Sequence, residues 1–178
     1  MRSTLEWNLV VTAHGGRRHD LVHALRPIVR LRRAGYSEVM IGCAADIEAC
    51  LAAIAARANE TFAAEVLARV VPVARTFALA PDLEAQLRSE TATFVDALVG
   101  QSFHVRVERR GQRGVVRSDH LERLLGTALV AALRGRGESP LVTFRDPDVI
   151  VAVELIGEMG GVGLVPRVLR ERFPFVRL

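Results

Sequence analysis

The 178-residue chain contains no lysine: all 24 of its basic residues are arginine, set against 20 acids for a net charge of +4. It also has no run approaching the eighteen or so apolar residues of a membrane span, so no membrane-crossing helix is expected. The opening MRSTLEWNLVVTAHGG lacks the cleavage pattern of an export signal, which makes a cytoplasmic protein the expectation. Cys43 and Cys50 are too few and too awkwardly spaced for a disulfide framework or a zinc knuckle, and Cys50 shares a helical face with Ile47, Leu51 and Ile54. No GxxxxGK[ST] occurs, nor a glycine-rich turn followed by a ribose-binding acid, so no nucleotide, dinucleotide or S-adenosylmethionine cofactor is expected. Repeats and low-complexity tracts are absent as well.

What remains is half apolar, enough for one medium domain or two small ones with true cores. Asn8 to Ala13 reads as a strand, followed by the loop HGGRR and a helix carrying Leu21, Val22, Leu25, Ile28 and Val29, which Pro27 should kink or restart and Gly35 should end. Glu38 to Cys43 reads as a second strand and Ala45 to Ala58 as a second helix. Arg69 to Leu79 reads as a third strand, which Pro72 confines to an edge. This alternation suggests a small α+β unit over residues 1–80. The rest, 81–178, reads as a second domain: a helix from Pro81 to Gly100, a strand from Phe103, and a helix capped by Ser118 with Leu121, Leu125, Leu129 and Leu133 in register. A hairpin of Val149 to Gly157 and Val162 to Val165 closes it.

The arginines are not spread evenly. Between Ser102 and Arg117, Arg106, Arg109, Arg110, Arg113 and Arg117 face only Glu108, so this short stretch carries as much net charge as the whole chain. The acids nearby in sequence, Glu108, Asp119 and Glu122, are too few to neutralise it. A planar guanidinium grips phosphate in two-pronged fashion and stacks on unpaired bases, so the pattern points to nucleic acid.

Two other stretches compete for a role. His19-Asp20-Leu21-Val22-His23 sets two histidines one helical turn apart, like the zincin pattern, which would make the protein a small metal-dependent hydrolase. That chemistry uses Glu beside the first His and a third ligand. Here the acid is Asp, and only His14 lies near. The loop Gly15-Gly16-Arg17-Arg18, at a strand-to-helix junction, is placed to bind one phosphate through Arg17 and Arg18. GEMGGVG, from Gly157, sits within a hairpin rather than between strand and helix, which is the wrong setting for a nucleotide loop. A regulatory scaffold pairing through the first domain is a third reading.

The anchors Phe103-x-Val105-Arg106-Val107-x-Arg109-Arg110-Gly111, then Ser118-x-x-Leu121, Leu125-Gly126, Pro147-Asp148-Val149 and Val153-Glu154, follow one another at a spacing that resembles a THUMP domain, the RNA-binding module of several tRNA-modifying enzymes. The resemblance implies an N-terminal ferredoxin-like domain followed by the THUMP α/β domain. With the chain ending at Leu178, it implies kinship with stand-alone tRNA-binding adaptors of tRNA cytidine acetylation. On this reading tRNA is the partner and a separate acetyltransferase does the chemistry, so the chain is expected to be neither an enzyme nor a metalloprotein. Arg109 and Arg110 match the family's basic pair, flanked by Arg106 and Arg113.

Overall fold

A computed structural model describes residues 7–60, 63–111 and 117–178. The chain divides into two units, one of residues 1–76 with 169–178 and one of residues 77–168. In the first, β1 (Leu9–Ala13), α1 (Arg18–Leu25), β2 (Leu31–Arg33), β3 (Val39–Gly42), α2 (Ile47–Glu60), α3 (Ala63–Val66) and β4 (Leu67–Pro72) follow in order. The four strands form one antiparallel sheet in the order β2-β3-β1-β4.

Local chemistry explains these boundaries. α1 stops at Leu25 because Pro27 has no N–H to continue the ladder. α2 starts where the Asp46 carboxylate accepts the Ala49 amide at 3.0 Å. Asn8 exchanges two side-chain hydrogen bonds with the Ala44 backbone, at 2.7 and 2.8 Å, extending the β1–β3 pairing by one rung. Leu9, Val10, Val11, Leu21, Leu25, Met40, Leu51, Ile54 and Val70 are buried, each aliphatic side chain contributing about 1.5–3 kcal/mol by leaving water.

The single strand expected over Arg69 to Leu79 is two strands in two sheets. β4 ends at Pro72, which offers no amide, and β5 (Arg75–Ala78) joins the other sheet. The helix expected over Pro81 to Gly100 is likewise α4 (Leu83–Ala92) followed by a 3₁₀ turn at Val95–Leu98. Thr91 and Thr93 donate their hydroxyls back to the carbonyls of Leu87 and Glu90, competing with the helical ladder where it ends.

The second unit continues with β6 (Ser102–Arg110), α5 (Ser118–Arg134), β7 (Leu141–Val142), β8 (Val149–Ile156) and β9 (Met159–Pro166), while α6 (Arg167–Arg172) spans the junction. Its sheet runs β5-β9-β8-β6-β7, with β6 parallel to β7 and β8, and β8 antiparallel to β9. On α5, Leu121, Leu125, Leu129 and Leu133 recur every fourth residue and pack with Leu87, Phe103, Val105, Val107, Val151 and Val153 in one core. Ser118 lies in the first turn of α5 rather than capping it, since Arg117 takes the cap position with no side-chain bond. One glycine of GEMGGVG serves packing: a side chain at Gly160 would collide with the Phe77 ring, so glycine lets that ring lie against β9. No helix among the described residues is long and apolar enough to cross a membrane.

Candidate nucleic-acid interface

Alternation along β6 sends Phe103, Val105 and Val107 into the core and leaves His104, Arg106, Glu108 and Arg110 on the opposite face. These last residues meet different fates. Arg106 is 47% exposed, with guanidinium nitrogens 3.7 Å from Glu108 and 3.6 Å from Glu122, contacts too long for hydrogen bonds. Exposed pairs of this kind are worth little and yield readily to a phosphate.

Arg110 is only 11% exposed and forms an ion pair with Glu154 of β8, which is fully buried. The register explains the meeting: Glu154 stands opposite Glu108, one step along the same face from Arg110. The expectation that Arg110 reaches outward as half of a basic pair is therefore corrected. Its charge answers a buried carboxylate, whose desolvation would otherwise be prohibitive. The signal was present in the sequence, because Glu154 is the lone acid of the apolar strand VIVAVELI.

The other expected contacts are dispersed. Arg109 is half-buried and engaged with neighbouring groups, and Arg113 lies outside the described residues. Arg117, with 80% of its side chain exposed, holds Asp119 in a two-pronged grip at 3.1 and 2.8 Å. That hydrogen-bonded guanidinium keeps the Asp119 carboxyl below the usual carboxylate range, and Asp119 in turn raises the Arg117 value. Arg123, one turn further on, lies 3.6 Å from the same carboxylate and is 83% exposed, a cation the sequence reading did not select.

In the first unit, Arg17 pairs with Asp20 at 2.5 Å just before α1, and Arg18 opens that helix. His19 and His23 belong to α1, and both are exposed. No group of three His, Cys, Asp or Glu suited to a metal occurs among the described residues.

The family-like segment Pro147-Asp148-Val149 turns out to be structural. The Asp148 carboxylate accepts both the Ser102 amide (2.8 Å) and its hydroxyl (2.6 Å), while the Ser102 oxygen accepts the Asp148 amide (2.9 Å). Arg167 closes the knot at 3.1 Å from Asp148 and 3.2 Å from Asp146. The starts of β6 and β8 are thereby tied together, which sets the height at which the arginines emerge. Past Phe103 the outer edge of β6 is no longer paired with β7, and the Glu122 carboxylate accepts the Val107 amide there at 3.0 Å.

No protein-family model matches the chain, and no curated protein does. What it shares with known proteins is a mixed α+β fold, found in solved structures along nearly its whole length. TrmN from Thermus thermophilus is similar over 95% of this chain, with a TM-score of 0.64 and 22% identity. A 4-thiouridine synthetase crystallised as an RNA complex with bound ATP is similar over 90% of it (TM-score 0.55, 15% identity). A predicted N6-adenine-specific DNA methylase from Listeria monocytogenes str. 4b F2365 is similar over 89% (TM-score 0.54, 16% identity). The chain spans 48%, 41% and 40% of those three chains, about half their length or less.

These likenesses overturn one expectation. The chain was read as not an enzyme, yet a synthetase and a methylase are enzymes, and this fold forms part of both.

Proposed function

We propose that this chain is the RNA-recognition portion of a tRNA-modifying enzyme system, with tRNA as its partner. The second unit is read as a THUMP domain and the first as ferredoxin-like. Supporting the latter is the β-α-β-β-α-α-β succession, ferredoxin-like apart from the short added helix α3, with its antiparallel order β2-β3-β1-β4. The modification chemistry then falls to a catalytic domain or a separate enzyme. A cytidine acetyltransferase to which tRNA is presented is one form of this arrangement.

The observation that carries the reading is the group of exposed arginines where β6 and α5 meet, Arg106, Arg117 and Arg123, whose acidic neighbours hold them loosely or at the surface. Arg109, Arg113, Arg17 and Arg18 are proposed as further phosphate contacts. Backbone contacts of this type position an RNA without reading its sequence.

The test is tRNA binding at several salt concentrations by the parent and by a variant carrying Arg106→Glu with Arg117→Glu. The variant should bind several different tRNAs about tenfold more weakly at low salt while its thermal midpoint stays put. Undiminished affinity in a folded variant would remove this surface from the reading.

A further inference from the structure

Phe144 is 77% exposed, more than any other large apolar side chain among the described residues. Its backbone is nevertheless held on both sides. The Thr143 amide donates to the Phe103 carbonyl at 3.1 Å, and the Thr143 carbonyl accepts the Nδ1 proton of His104 at 2.9 Å. Beyond the ring, the Thr143 hydroxyl and the Arg145 backbone exchange two 3.2 Å hydrogen bonds. The His104 imidazole lies 5.1 Å from the Phe144 ring, tilted 31°. One side of an aromatic ring is thus supported while most of the rest meets water.

The two rings wall a groove of about 400 Å³ between β6 and α5. Its lining is mostly apolar, with Val105, Val130 and Val142 inside; its charged members are Arg123 and the carboxylates Asp119 and Glu122, which pair with Arg117, Arg123 and Arg106. The groove exists for two reasons. β7 is only two residues long and leaves the edge of β6 after Phe103, and Gly126 on α5 has no side chain to fill the space, where a Cβ would meet nothing within 4 Å. The volume lies within the range of small-ligand sites.

We propose that the Phe144–His104 pair is a stacking seat for one unpaired nucleobase of an RNA strand, whose phosphates are held by Arg106 and Arg123. The inference rests on the RNA-binding reading and adds to it a demand for a single-stranded segment. Three observations favour it. A flat apolar ring held by its backbone loses little freedom on binding, and every base offers a π face to such a platform. Exposed guanidinium groups flank the groove, as a strand with one phosphate per base requires. A peptide adding itself to the β6 edge would find the Val107 amide already taken by Glu122, which argues against a protein ligand.

The experiment compares the parent chain, Phe144→Leu, Phe144→Trp and Arg106→Glu. Its probes are a single-stranded oligoribonucleotide of about eight residues and an abasic oligomer of equal charge. Phe144→Leu should weaken the oligoribonucleotide about tenfold and leave the abasic oligomer and the salt slope unchanged. Phe144→Trp should bind like the parent, its fluorescence quenched by the oligoribonucleotide and not by the abasic strand. Arg106→Glu should weaken both probes. If Phe144→Leu binds the oligoribonucleotide as the parent does while Arg106→Glu remains weakened, the stacking seat is wrong and the RNA reading stands. Equal weakening of both probes by Phe144→Leu would also overturn the seat. A parent that binds neither probe nor tRNA would overturn both, as would a tryptophan signal answered by peptides and not by RNA.

Discussion

Arg106 and Arg110 sit four residues apart on the same face of the same strand, and a count of charges treats them alike. One is half exposed beside two distant carboxylates, and the other is nearly enclosed against a carboxylate with no exposure at all. The difference lies in the neighbouring strand: Arg106 stands beside Ala152, whereas Arg110 stands near Glu154. A cluster of arginines is therefore not one functional object. Part of it is available to a ligand because another part is committed to the fold.

The sharpest way to break this comparison is to remove the committed arginine. Arg110→Met should destabilise the protein by about 3–5 kcal/mol, since it leaves a charge buried in an apolar strand. Combining it with Glu154→Leu should restore most of the loss. Chemical denaturation of the two variants measures both effects, and a single variant as stable as the parent would show that the buried pair is dispensable.

Replacing the available arginine should leave stability almost untouched and act on binding. With Arg106, Arg117 and Arg123 each meeting one phosphate of a largely single-stranded segment, the slope of log K against log salt should be near −2, and Arg106→Ala should flatten it by about 0.7. An unchanged slope would mean that Arg106 meets no phosphate.

The smallest expected effect concerns the surface pair Arg117–Asp119. Asp119 should titrate below the ordinary aspartate value of about 3.9, and Arg117→Ala should return it toward that value, as followed by NMR of the carboxyl group. A carboxyl depressed in the folded state contributes stability that is present above its unfolded value and lost as pH falls through its folded value. Any contribution of this pair therefore disappears only in acid below about pH 4. A midpoint unaltered by Arg117→Ala would place the cause elsewhere.

Much of this architecture can be read from local pattern. Strong period-two alternation announces β6, and leucines at every fourth position announce α5, because each buries one continuous face. Short, exposed elements carry no such signature. β2 is LRR and β7 is LV, both solvent-facing, and each exists because a longer neighbour offers it an edge. The division of Arg69 to Leu79 between two sheets was hidden for a related reason, since both halves are apolar enough for one strand and only tertiary pairing separates them. The arginine-rich stretch drew notice through composition. Composition did not separate Arg106 from Arg110, because the deciding partner lies 44 residues away. Phe144 escaped notice in a polar loop, where its exposure is a property of three dimensions alone.

Residues 169–178 also shape how the first unit can be assembled. Leu169–Leu178 belongs with the first unit: Val176 bridges to Val70 on the outer strand β4, the Val70 amide donates to Phe175, and Arg177 donates twice to the Ala68 carbonyl. During synthesis from the N-terminus, the unit begun first is thus the one finished last, while the contiguous second unit has all its strands beforehand. Until the tail docks, β4 presents an unpaired apolar edge to the cell. A ribosome paused shortly after Val168 would hold a chain whose second unit has all its strands and whose first remains open to wrong partners.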